Sequence, residues 1–527
     1  MSLTVAQTTA LNKLKNENTY TATTWNGDPA HSSSGDPRLD LFFKGFVRGC
    51  KEDKLNNMLK VSWCKYPEDT VKLIIHSRDC RNGKGEKKVS YQGMLWLRKY
   101  KPLTYIMNLA TFLEHGYFKD LLQLAGFAHD FNLNPLGVTE NYIELEVLAE
   151  YLREDIEKMK ENGENARISL AAKWAPSEGK HFDIKYGFAE DMASLLFSHK
   201  DKPKKIYRML LTKLRKQLNI VENLTTDGRW YEIDYAKVPA KAHRLLRKAF
   251  LKNCPEPYKE YLTNLKAGTE KINYKGTHPH ELVSTYFGKT SRSFYMSRDL
   301  DETIEGQWKA LVNDVKEKGF LDNTIAVSDV SGSMLTQLDG LPMSVSIALG
   351  ILIAQCCSGT FHNKIISFNK TPKVHKLKGD TLKEMVEITK NIDFGLNTDI
   401  DRVFDLLLNT AKLTDCKDMV KNIVIISDMQ FNEAIGKHKL SAFDRNRKLF
   451  EDAGYTLPKV IFWNVNGNIE SIPVKSHDSG SILISGFSAE LLKDLINNGF
   501  DTDPIGFLLN VIGKYTVQVD EREANTI

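Results

Sequence analysis

Cysteine is scarce in this chain: seven residues in 527, with no Cys-x-x-Cys pair and no regular spacing. That argues against a disulfide framework or a zinc module and predicts a reducing, cytoplasmic compartment, or a virion if the chain is viral. The start, Met1-Ser2-Leu3-Thr4, lacks a basic region followed by an apolar core, so no secretory signal is expected. A Walker loop is missing too, because Gly288-Lys289-Thr290 has Val283 where the first glycine belongs. No Gly-x-Ser-x-Gly elbow occurs. The histidines are scattered, and His278-Pro279-His280 has no partners at zinc spacing. Glu144, Glu146 and Glu150 read as the solvated side of a helix whose other face holds Leu145 and Leu148. The expectation is a protein that is not an enzyme.

Long uncharged runs are also rare, with one exception. From Leu341 to Asn363 there is no Asp, Glu, Lys or Arg, and Ile347 to Cys357 is strongly apolar. A membrane helix needs about 20 predominantly apolar residues. Pro342, Ser344, Ser346, Gln355 and Ser358 interrupt the run, so a buried helix packed on a sheet is expected and no membrane contact.

Charge is balanced overall but not along the chain. Residues 1–300 carry a net +12 and residues 301–527 a net −7, within a total of +5. The excess concentrates in residues 201–250, at +8. A basic half beside an acidic one points to a polyanion partner for the first, although a solvated helix face explains many such runs.

What is present divides into three textures. Residues 1–38 are polar and turn-rich and read as an irregular arm. From residue 39 to 315 apolar residues recur at helical spacing, as in Leu55, Met58, Leu59 and Val71, Ile74, Ile75. Loops at Asn82-Gly83-Lys84-Gly85, Lys101-Pro102 and His115-Gly116 separate the helices, a pattern of antiparallel pairs stacked as in HEAT-like repeats. Residues 320–527 alternate short apolar runs with helical segments. Strands are expected at 324–328, 364–368, 422–427, 459–463 and 481–484. Helices are expected at 343–357, 382–390, 400–410, 442–453 and 488–498. Such alternation predicts an α/β domain with a doubly wound parallel sheet, whose ligands sit at the carboxyl ends of strands.

At one such end stands Asp329-Val330-Ser331-Gly332-Ser333, a carboxylate and two hydroxyls after the run Thr324–Val327. Hard oxygen ligands suit Mg²⁺, which prefers octahedral oxygen coordination. A metal-free Asp-Ser-Gly turn is the plainer alternative. Asp-x-Ser-x-Ser resembles the metal-ion-dependent adhesion site of von Willebrand factor A domains. That resemblance implies a bound Mg²⁺ held by Asp329, Ser331, Ser333, Thr398 and Asp428, with an open position for an acidic side chain of a protein partner.

The chain as a whole, from about residue 15 to 510, resembles a family of plants, fungi and large DNA viruses that joins a helical region to an A domain. The stretches carrying this include His31–Phe43, Arg78–Glu86, Lys173–Glu178, Val460–Asn464 and Ile484–Ala489. The architecture is similar to that of TROVE proteins, the Ro ribonucleoprotein autoantigen among them. That similarity implies RNA binding by the helical region.

Two helices carry the basic residues. The first begins near Pro203, with Ile206, Leu210, Leu214 and Leu218 as its apolar stripe and Lys204, Arg208, Lys213, Arg215 and Lys216 around it. The second holds Lys241, Arg244, Arg247 and Lys248. Helical Lys and Arg on phosphates give salt-dependent, sequence-tolerant binding. Trp230, Tyr231 and Tyr235 either stack on bases or belong to a core between helices. The loop from Arg78 through Arg81 and Lys84 to Lys88 either cradles phosphate or is a charged helix–helix turn. The leading expectation is a non-enzymatic RNA-binding scaffold of the Ro type. A Mg²⁺-dependent protein adaptor without nucleic acid is the alternative.

Overall fold

A computed structural model describes residues 22–24, 26–133, 142–289, 294–297, 299–319, 321–368, 371–392, 399–413, 419–431, 440–500 and 502–525. The chain forms two units. One comprises Glu52–Thr277, Asp301–Leu311 and Ile512–Ile527, and the other Met1–Lys51, His278–Leu300 and Val312–Val511.

The first unit is helical. Its leading elements are α1 (Glu52–Lys65), α2 (Pro67–Arg78), α3 (Lys88–Tyr100), α4 (Pro102–His115), α5 (Phe118–Asp130) and α6 (Ile143–Asn162). Proline opens α2 and α4, where a missing N–H costs nothing and the fixed φ suits a first turn. Leu55, Leu59 and Trp63 of α1 and Val71, Ile74 and Ile75 of α2 are buried, the stripe that helical spacing predicts. Successive helices pack on their neighbours in the chain. Further on come α7 (Pro203–Leu218), α8 (Ala240–Asn253) and α9 (Pro255–Ala267).

The second unit is α/β. Its sheet has β1 (Thr324–Ser328), β2 (Lys364–Ser367), β3 (Val374–Lys376), β4 (Asn422–Ser427), β5 (Lys459–Asn464) and β6 (Ser481–Ser485). The order is β6-β5-β4-β1-β2-β3, parallel except for the antiparallel edge β3. Strands β1, β4 and β6 are buried along their whole length, as apolar runs covered on both faces should be. Helix α10 (Leu341–Cys356) is the uncharged run, buried almost throughout and packed on β1. Gly350 allows that approach, since a Cβ there would collide with the Ser328 hydroxyl. Further helices lie at Leu382–Lys390, Ile400–Leu413, Ala442–Asp452 and Glu490–Asn498, close to expectation.

The grouping of residues departs from the sequence expectation at both ends. Residues of the N-terminal stretch join the α/β unit instead of forming a separate arm through residue 38. His31 explains this: it exchanges backbone hydrogen bonds with Ile472 (3.0 and 2.7 Å), and just beyond, the carbonyls of the buried Phe42 and Phe43 accept from Ser485 Oγ (2.6 Å) and Asn464 Nδ2 (2.8 Å). At the other end, residues from Ile512 join the helical unit, not the α/β domain expected to run to 527. There the Glu523 carboxylate accepts from Leu103 N (2.9 Å) and Thr104 N (2.8 Å), which are unpaired donors at the start of α4.

Candidate metal centre and basic surfaces

Strands β1 and β4 are parallel neighbours in the middle of the sheet, with Ser328 opposite Ile426. The next chain neighbours of each lie on opposite sides, so the crevice beyond their carboxyl ends is the topological switch point where α/β sheets bind ligands. Asp329 and Asp428 leave the strands there, and both are buried. Asp329 Oδ1 accepts from Ser331 N (2.9 Å) and Oδ2 from Ser427 Oγ (2.6 Å), so its two oxygens hold the loop in shape. Ser331 and Ser333 turn their hydroxyls to within 3.0 Å of each other. Adjacent ligands of an octahedral Mg²⁺, at about 2.0–2.1 Å from the ion, stand about 2.9 Å apart.

Asp428 is less well served. Its Oδ1 faces Gln430 N at 3.4 Å, the Ser333 hydroxyl bonds to the carboxylate, and its Oδ2 is buried without a hydrogen-bond partner among the described residues. Burial first, and the nearby Asp329 carboxylate second, push its pKa up to about 7. Burial likewise raises that of Asp329. Two buried carboxylates, one unpartnered oxygen and two converging hydroxyls form a donor set that fits a small divalent cation. Thr398 lies outside the described residues. Ser427 was not singled out in the sequence, although a hydroxyl ending a buried apolar strand beside Asp428 was the available signal.

The basic residues scatter into different roles. Arg78 is buried and donates from Nε to Asp120 Oδ2 at 2.8 Å, so it is a structural cation and not an RNA contact. Lys84 is buried as well. Its loop is no phosphate cradle, because the backbone donors are consumed within it. Arg81 N (2.9 Å) and Asn82 N (3.0 Å) donate to Asp79 Oδ1, Lys84 N to His76 O (3.1 Å) and Glu86 N to Ser77 O (2.8 Å). Gly83 is packed so closely that a Cβ would meet the His76 carbonyl. Of the loop's cations named above, Arg81 and Lys88 are exposed, with Arg81 Nη1 on Glu114 O.

On α7 the buried face is Tyr207, Leu211 and Leu214, rotated from the expected stripe, while Ile206, Leu210 and Leu218 are only half-buried. Tyr207 takes the inner position because its hydroxyl reaches Pro176 O at 2.9 Å. Arg215 braces the same region by donating to Ala172 O, Ala175 O and Ser177 Oγ, each at 2.8 Å. Lys204 and Arg208 are exposed and paired with Glu190 (2.9 Å) and Glu178 (3.1 Å). On α8, Arg247 pairs with Asp301 and Arg244 is half-buried. Lys213, Lys241 and Lys248 stay exposed. Tyr235 belongs to a core with Phe250, Tyr258 and Tyr261, and Trp230 packs against it, whereas Tyr231 is exposed. Glu144 is not solvated as expected: it is buried and paired with Arg98.

The fold places the chain in a broad class: a helical unit and an α/β unit with a doubly wound, mostly parallel sheet. The chain belongs to the family described as Domain of unknown function (DUF2828), whose model matches residues 24–140 and 142–321. A second model, Domain of unknown function (DUF7788), matches residues 323–523. A relative of Acanthamoeba polyphaga mimivirus, Uncharacterized protein L728, is 34% identical over 520 residues, covering 94% of this chain and 87% of that protein. Among solved structures the chain is similar to the Ro (RSR) protein of Deinococcus radiodurans. That match has 14% identity and a TM-score of 0.41, with 92% of this chain and all of that one covered.

Proposed function

We propose that the protein is a non-enzymatic scaffold whose α/β unit docks a partner through Mg²⁺. The observation that carries this is the unpartnered, buried Oδ2 of Asp428, beside Asp329 and the paired Ser331 and Ser333 hydroxyls. Those residues, with Thr398, would hold the ion. A bound Mg²⁺ supplies a positive charge to which a carboxylate of a protein partner is drawn. Binding is the role that suits Asp329, since both its oxygens are engaged in holding the loop. Calorimetric titration of the chain with MgCl₂ tests the reading. Saturable binding that disappears in Asp329→Ala with Ser331→Ala is expected, and no heat in the unaltered chain would overturn it.

RNA binding by the helical unit is the second reading, supported by the +8 excess of residues 201–250, which lie within that unit, and the exposure of Lys213, Lys241 and Lys248. Filter binding of single-stranded RNA across a salt series measures it. The affinity should fall steeply with salt and survive the double substitution at the metal loop. Absence of binding at low salt leaves the Mg²⁺-dependent adaptor alone.

A further inference from the structure

Helices α1 and α3 leave a cavity of about 330 Å³ between them, within the size range of small-ligand sites. Asn56, Asn57, Lys60 and Trp63 line it from α1, and Trp96 and Tyr100 from α3. On α1 these positions fall on one face, and Trp96 and Tyr100 are one helical turn apart. The three rings form a continuous aromatic wall. Trp63 and Trp96 have centroids 5.9 Å apart, and Trp96 and Tyr100 5.5 Å apart.

Three chemistries meet here. Tyr100, exposed at the rim, offers its ring to a planar group, with the buried Trp96 and Trp63 behind it. The Asn56 and Asn57 amides offer both donors and acceptors. Lys60 is exposed and cationic. Aromatic walls also attract quaternary ammonium groups, but here Lys101 opposes them: its Nζ lies 5.2 Å from the Trp63 ring centroid while donating to Glu523 O. A planar, hydrogen-bonding and anionic ligand satisfies all three features.

We infer that this cavity binds a nucleoside monophosphate unit, its base against Trp96 and Tyr100, its base edge on the asparagine amides and its phosphate toward Lys60. The unit is either a free nucleotide or an unpaired nucleotide of an RNA strand. The second source rests on the RNA reading above; the first does not.

Cys64 lines the same cavity and is exposed, so its alkylation reports occupancy. The full chain is treated with N-ethylmaleimide in the presence of adenosine monophosphate or a short single-stranded RNA, and modification is followed at each cysteine by peptide mass spectrometry. Saturable protection of Cys64, without protection of Cys50 or Cys80, is the expected result. Protection by both probes identifies a free-nucleotide site, and protection by RNA alone identifies an unpaired base. Tyr100→Ala and Lys60→Glu, both at exposed positions, should each weaken protection about tenfold. The inference is overturned if neither probe protects Cys64 at millimolar concentration, or if a trimethyl-lysine or proline-rich peptide protects it instead. It is also overturned if both variants retain full affinity. RNA that binds filters without protecting Cys64 removes this site and leaves the RNA reading standing.

Discussion

Asp120 in the helical unit and Asp428 in the α/β unit are both buried carboxylates, and their surroundings differ in kind. Asp120 accepts from Arg78 Nε (2.8 Å), Tyr91 Oη (2.6 Å) and Tyr117 N (2.9 Å). Asp428 has a second carboxylate for a neighbour, and one of its oxygens has no hydrogen-bond partner among the described residues. A buried charge whose lone pairs are satisfied holds a fold together. One left wanting at a strand end is costly to keep, and a cation removes that cost. The same contrast sorts the basic residues: Arg78 and Arg215 are committed to oxygen acceptors inside the helical unit, whereas Lys213, Lys241 and Lys248 face solvent.

Substitutions can break this contrast, and the largest effect is expected at Asp120. Asp120→Ala leaves the Arg78 guanidinium buried and unpaired and should cost about 3–5 kcal/mol in urea unfolding. A loss under about 1 kcal/mol would remove the distinction between the two carboxylates.

Asp428→Asn should act in the opposite sense. Without Mg²⁺ the variant should be at least as stable as the unaltered chain, because a repelled buried charge is gone. Its Mg²⁺ affinity should fall by about a hundredfold, roughly 2.7 kcal/mol, in calorimetry. Destabilisation in metal-free buffer would show Asp428 to be as structural as Asp120.

Gly350→Ala tests how the metal loop is supported. The added methyl meets Ser328 on the strand that leads to Asp329, so about 1–3 kcal/mol of stability should be lost.

His243 gives the helical unit a pH dependence. Burial lowers its pKa to about 4, with its Nε2 beside Tyr258 Oη at 3.1 Å. The fold therefore keeps His243 neutral while the unfolded chain protonates at about 6.5. Stability is unaffected above that value and falls as pH drops below it, by about 1.4 kcal/mol per unit until about pH 4. Chemical denaturation at pH 7 and 5.5 should show a smaller difference in His243→Gln than in the unaltered chain.

The smallest effect belongs to the exposed Lys204–Glu190 pair. Lys204→Ala should leave the unfolding midpoint where it is, since screened surface pairs contribute little.

Much of the α/β unit was legible in its residues. The strand at 422–427 and the helix at 382–390 have the expected bounds, because the apolar run Ile423–Ile426 and the capping box Thr381/Glu384 are local signals. The edge strand Val374–Lys376 was not foreseen: it is short, largely exposed and pairs antiparallel, without the apolar run that marks the others. The loop pattern, open to a phosphate cradle or a charged turn, does not reveal that Arg78 and Lys84 are buried; the partner of Arg78, Asp120, is 42 residues away. Helix α7 was recognised, but its inner face was misjudged, since Tyr207 is drawn inward by a carbonyl in another segment.

The helical and strand periodicities and the Asp-x-Ser-x-Ser loop are written locally, because each depends on neighbours within a few residues. Which charges are buried, where a carboxylate oxygen is left without a described partner, and the aromatic-lined pocket between two helices arise only when distant segments meet. Burial and pairing are properties of residues brought together from distant parts of the chain, and no local pattern encodes the identity of those partners.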